Sequence, residues 1–166
     1  NPCGLEYDLT QAFAQELGVG VKYIIEQPEE LESSLRDRNY HVATGWLSPG
    51  TDPELVNTPP IFQTRDILLQ HEATLPLTSL AQLGGKTVHV MTGSRQAETM
   101  RRLAKEIPDL VVVEFNGTDV LALLGQLGNR RIDYVVLDES LEDIANQYVP
   151  NLRSSLTLSD SQPVVW

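Results

Sequence analysis

The sequence predicts an α/β protein of two lobes with parallel or mixed sheets, and three observations predict it. Between residues 87 and 146, short β-rich apolar runs alternate with helical periodicity, the pattern of a parallel sheet with helices on its faces. Residues 72–77 turn polar and contain a proline, which marks a lobe boundary. Beyond Pro150, residues 152–158 and 164–166 become β-rich again and read as strands returning toward the first lobe. The expected division is residues 1–70 with 151–166 as a first lobe, discontinuous and incomplete, and 71–150 as the second. Two lobes joined by two crossings form a cleft at the carboxyl ends of the strands, where open α/β sheets bind ligands.

Each element has its own signal. Leu9, Ala12, Phe13 and Leu17 fall at helical spacing before Gly18, a C-terminal stop. Residues 21–25 form a β-rich run, Pro28 opens a helix with Leu31 and Leu35 on one face, and residues 40–46 read as another strand. Residues 61–70 supply one long strand. In the second lobe, strands are expected at 87–91, 110–115 and 132–137, with helices at 96–105, 120–127 and 141–146. The chain opens at Asn1-Pro2-Cys3-Gly4 without methionine and stops inside the strand-like Val164-Val165-Trp166, so we read it as a piece of a longer protein.

Composition narrows the function. A hydrophobic share of 41% with 21% charged residues is that of a soluble globular chain rather than a coiled coil or a disordered one. The formal charge of −11, from 23 acidic against 12 basic residues, argues against a nucleic-acid partner. The pairs Arg101-Arg102 and Arg130-Arg131 read as solvated helix or turn positions. Cys3 is the single cysteine, and His41, His71 and His89 lack zinc-site spacing, so neither a metal nor another cofactor is expected. No apolar run approaches a membrane span in length.

Candidate site residues cluster at three strand ends. The segment running through Thr92, Gly93, Ser94 and Arg95 is a strand entering a turn that opens a helix, where backbone N–H groups and hydroxyls accept a carboxylate or other anion, unless Ser94 or Thr92 only caps the helix. Asp138 directly follows a strand and could hold a ligand ammonium or amide, or cap the helix after it. Thr44, Gly45, Trp46 and Ser48 end a first-lobe strand. Their hydrogen-bonding groups and the indole face suit a flat or sugar-like ligand, with a core tryptophan as the plainer reading.

Enzyme patterns are missing. The Glu139-Ser140 pair has the two residues that carry the acid in goose-type lytic transglycosylases, but not the surrounding Gln and aromatic pattern or the all-helical context. No nucleophile elbow or phosphate-binding glycine loop occurs, and Glu29-Glu30 falls on a solvated helix face. An enzyme of this fold would need a protonating carboxylate, for which only Asp138 and Glu6 are available.

Gly4-Leu5-Glu6-Tyr7-Asp8-Leu9, with Phe13 and Leu17-Gly18-Val19, resembles the opening of the family 3 extracellular solute-binding proteins. Gly85-Lys86-Thr87-Val88, Thr92-Gly93-Ser94 and Arg131-Ile132-Asp133-Tyr134 with Asp138 are similar to that family's second lobe. More narrowly, Ser161-Gln162-Pro163-Val164-Val165-Trp166 resembles a segment in the N-terminal domain of membrane-bound lytic murein transglycosylases of the F type. The resemblance implies a type II periplasmic-binding-protein-like fold whose first lobe is truncated at its N-terminus and whose sheet is left to pair with a second copy. It implies a non-catalytic binding module for a small-molecule or peptide ligand, cell-wall derived, joined to a C-terminal catalytic domain in the periplasm at the outer membrane. The alternative is an amino-acid or polyamine receptor of a transport system. Amino-acid binders of the family carry a carboxylate-gripping arginine soon after the first-lobe strand, whereas residues 49–54 here, Pro-Gly-Thr-Asp-Pro-Glu, contain none.

Overall fold

A computed structural model of the chain describes residues 4–26, 30–117 and 119–166. They form two compact units: one runs to Ile61 and takes back Val165–Trp166, and the other is Phe62–Val164. The chain therefore passes between the units twice. The sequence placed the boundaries at 70/71 and 150/151; in the structure residues 66–71 and 152–157 are strands of the second unit's sheet. They find their ladder there.

The second unit contains β1 (Phe62–Thr64), β2 (Asp66–His71), β3 (Thr87–Met91), β4 (Val111–Phe115), β5 (Tyr134–Asp138), β6 (Leu152–Thr157) and β7 (Gln162–Val164). Five of them make one sheet in the order β4-β3-β5-β2-β6, in which β3 pairs parallel with β4 and β5 while β2 runs antiparallel to β5 and β6. The sheet is thus mixed. The other two, β1 and β7, pair antiparallel as a separate ribbon. The run 61–70, expected as one strand, breaks at exposed Arg65, because β1 and β2 join different sheets. The returning strand expected at 164–166 is Gln162–Val164 instead.

Period-two alternation sends the sheet's apolar side chains into two cores. On one face Leu68, Val88, Val90 and Val136 pack against Met100 and Leu103 of α3 (Arg95–Leu103). On the other, Ile67, Leu69, Val135 and Leu137 pack against Leu123, Leu124 and Leu127 of α4 (Val120–Gly128) and Ala145 of α5 (Glu142–Tyr148). Both longer helices begin with a side-chain cap. Ser94 Oγ accepts from Ala97 N at 3.2 Å, and Asp119 Oδ1 accepts from Leu121 N at 2.8 Å.

The first unit is built differently. Its helices are α1 (Leu5–Leu17) and α2 (Leu31–Arg36). Gly18 ends α1 in the left-handed region at φ 67°, its N–H and that of Val19 closing the last turn. The helix starts four residues before the apolar pattern becomes regular. Pro28 lies outside the described residues. The runs 21–25 and 40–46, expected as strands, join no ladder; the first unit's only β pairing among the described residues is the bridge Leu47 to Val165. A strand exists by its neighbour's hydrogen bonds, and β-rich composition cannot supply them. Among the described residues no helix is long and apolar enough to cross a membrane.

Candidate ligand-binding site

Two of the second unit's candidate residues, Arg95 and Asp138, meet in a buried charge cluster that is built from the sheet register. Asp66 opens β2 and Asp138 closes β5, and the antiparallel pairing sets the two directly opposite one another. Neither side chain is exposed beyond 3%. Like charges opposite each other repel, and buried carboxylates are costly unless they are paired and hydrogen-bonded.

The surrounding side chains meet that cost. Arg95, the first residue of α3, donates to Asp66 Oδ1 from Nη2 at 3.1 Å and from Nε at 3.3 Å, and the same Nη2 donates to Asp138 Oδ2. Asp66 also accepts from Gln96 Nε2 at 2.9 Å, Thr99 Oγ1 at 2.6 Å and Gln162 Nε2 at 3.5 Å. Its backbone N–H donates to Ser159 Oγ at 2.9 Å. Asp138 Oδ1 accepts from Thr64 Oγ1, from Ser140 N at 3.1 Å and from Ser140 Oγ at 2.5 Å. The Arg95 side chain is 8% exposed, and its Nη1 is buried with no hydrogen-bond partner among the described residues.

Sequence reasoning found Arg95 and Asp138 but missed Asp66, Thr64, Thr99 and Gln96. Asp66 carried a legible signal: a carboxylate directly ahead of Ile67-Leu68-Leu69 in a β run is affordable only with a partner. Among the flanking residues, the capping reading applies to Ser94. Ser94 caps α3 and also donates to Met91 O at 2.7 Å, and Gly93 at φ 69° makes the turn that other residues would strain to adopt. Thr92 N donates to Phe115 O at 3.2 Å, extending the ladder by one bond. Asp138 caps the short 3₁₀ turn Glu139–Leu141, not α5.

Of the first unit's candidates, Trp46 meets Glu6. Trp46 N donates to Glu6 Oε1 at 3.3 Å and Trp166 Nε1 to Glu6 Oε2 at 2.7 Å, while Phe13 meets the Trp166 ring edge-on at 6.1 Å. Gly45 at φ 129° and Trp46 at φ 63° reverse the chain here, and the positive φ of a tryptophan is a strained geometry of the kind that gathers at functional sites. Trp46 is half-buried, so it is not a core residue. Half-buried Thr44 and exposed Ser48 make no side-chain hydrogen bond to a described residue. Glu6 and Asp138, the two carboxylates available as acids, each accept donors on both oxygens. Among the described residues no group of three or more His, Cys, Asp or Glu side chains is placed to hold a metal ion.

Solved structures with this architecture are ligand-binding proteins. Holo ArgBP from T. maritima superposes with a TM-score of 0.81 at 23% identity, covering 99% of this chain and 72% of its own. The GluR0 ligand-binding core in complex with L-glutamate gives 0.79 at 18%, covering 98% and 74%. The fold is that of a type II solute-binding protein. In sequence, the chain is similar to membrane-bound lytic murein transglycosylase F of Nitrosospira multiformis, 31% identical over 165 residues, 98% of this chain and 34% of that protein. The same-named protein of Desulfosudis oleivorans is 28% identical over 167 residues, 99% of this chain and 37% of its own. The chain thus spans about a third of the length of these curated relatives. No protein-family model matches it.

Proposed function

We propose that this solute-binding-protein domain is the ligand-binding regulatory part of a lytic murein transglycosylase and that its ligand is a small cell-wall-derived peptide or muropeptide. The observation that carries the proposal is the end-to-end similarity to transglycosylases of which the chain occupies only a third. A domain of binding-protein fold alongside a much longer remainder suits a sensor, with the partner being the catalytic part of the same parent protein, in the periplasm and anchored at the outer membrane. Thr92, Gly93, Ser94, Arg95 and Asp138 on one unit, and Thr44, Gly45, Trp46 and Ser48 on the other, are its ligand-binding residues. Signalling requires that the ligand bind one conformation of the domain more tightly than another.

The missing arginine at 49–54 supports a ligand other than a free amino acid. In the same reading, the β-rich run 21–25 of the first unit, which joins no ladder among the described residues, pairs with a second copy of the chain. A thermal-shift titration against muropeptides, stem peptides and the common amino acids tests the proposal. A saturable rise in Tm with muropeptide alone, lost in Asp138→Ala, supports a cell-wall sensor. A response to free amino acids replaces it with a receptor of the transport type.

A further inference from the structure

We propose that Asp66 and Asp138 form a guanidinium subsite which the chain fills with its own side chain, and that Arg95 thereby sets the ligand class of the second unit. The inference deepens the proposed function and rests on it for the view that this cluster meets the ligand. Two carboxylates opposite each other on paired strands call for a cation, and one guanidinium nitrogen bridges them. The residue supplying it sits at the first position of α3, where the helix dipole opposes a positive charge. Nothing in the helix asks for an arginine there. The carboxylates do.

Two consequences follow for a ligand. With Arg95 on Oδ2, and with Thr64 and Ser140 on Oδ1, Asp138 has both oxygens engaged, so an incoming ammonium or guanidinium must displace Arg95 to reach it. Meanwhile Nη1 is buried, without a partner among the described residues, and able to donate. The cluster of two carboxylates and one guanidinium has a formal charge of −1, which repels a carboxylate. A neutral acceptor, the carbonyl of an amide or the hydroxyl of a sugar, satisfies Nη1 without that penalty. The second unit is therefore selective for acylated or glycan-like groups and closed to free cationic solutes.

The test measures the heat of binding and the Tm of the wild-type chain, Arg95→Ala and Arg95→Gln with methylguanidinium and with L-arginine. Wild type is expected to show no saturable response to either. Arg95→Ala is expected to bind methylguanidinium at least about tenfold more tightly than wild type and to recover Tm as it binds, and adding Asp138→Asn should abolish the gain. Arg95→Gln keeps a polar side chain for the fold and should show a smaller gain. Saturable methylguanidinium binding by wild type, or an Arg95→Ala chain that takes up none or stays unfolded in its presence, overturns the proposal. A wild type silent toward muropeptides beside a clear gain in Arg95→Ala keeps this inference and discards the sensor reading. Muropeptide binding without the gain does the reverse.

Discussion

The two units spend similar sequence in different ways. In the second, β-rich runs find neighbours, so that β2 and β5 are buried along almost their whole length and feed two apolar cores. In the first, equally β-rich runs find none. Its buried apolar residues among those described are Ala14, Ala43 and Val165, while Phe13, Leu17, Tyr23, Ile24 and Ile25 stay exposed, Ile25 at 94%. A fully buried Leu or Val contributes roughly 1.5–3 kcal/mol, so the second unit holds most of the apolar stabilisation. Burial follows the ladder; apolar composition by itself secures none.

Substitutions can break that comparison. The largest expected effect is at the charge cluster, where Arg95→Ala leaves two buried carboxylates opposed and should cost about 3–5 kcal/mol in a urea melt. Leu68→Ala, fully buried in a core, should cost about 2–5 kcal/mol. In the first unit, Phe13→Ala removes one edge-on ring contact from a side chain 45% exposed, and a loss of only about 0.5–1.5 kcal/mol is expected. If Phe13→Ala cost as much as Leu68→Ala, the contrast between the units would collapse. Amide exchange sharpens it: residues 20–25 and 40–45 should exchange well before β2 and β5.

The smallest effect is on pH dependence. The Glu54 backbone N–H, and next the Arg36 guanidinium, hold the Asp52 carboxyl below its usual range. A carboxyl lowered by folding stabilises above its unfolded pKa, and the contribution is lost as pH falls through the folded value. This exposed pair should therefore add a slight acid sensitivity to the first unit's melting, absent in Asp52→Asn.

The second unit was largely legible in the sequence because its periodicities are regular: β3, β4, β5 and the helices α3, α4 and α5 lie within a few residues of expectation. The break at Arg65 was not legible, since Ile61 to Gln70 reads as continuous strand and only the change of sheet divides it. Pairing partners lie far away in sequence, which also hid the first unit's unpaired runs. Of the charge cluster, Asp138 and Arg95 stood out by following a strand and opening a helix. Asp66 meets Asp138 through the register of β2 with β5, Thr64 comes from the end of β1, and Thr99 lies one turn after Arg95 on α3.

That register also governs the order in which the strands can form during synthesis. Asp66 precedes its partner Asp138 by 72 positions, and its other neighbour, β6, comes later still. At a ribosomal rate of roughly 5–20 residues per second, the apolar stretch Ile67-Leu68-Leu69 waits several seconds without either edge satisfied. A strand that ends up buried along almost its whole length is thus among the most vulnerable in the nascent chain. The emerging polypeptide must be kept from pairing with other molecules until Tyr134 to Asp138 has been made.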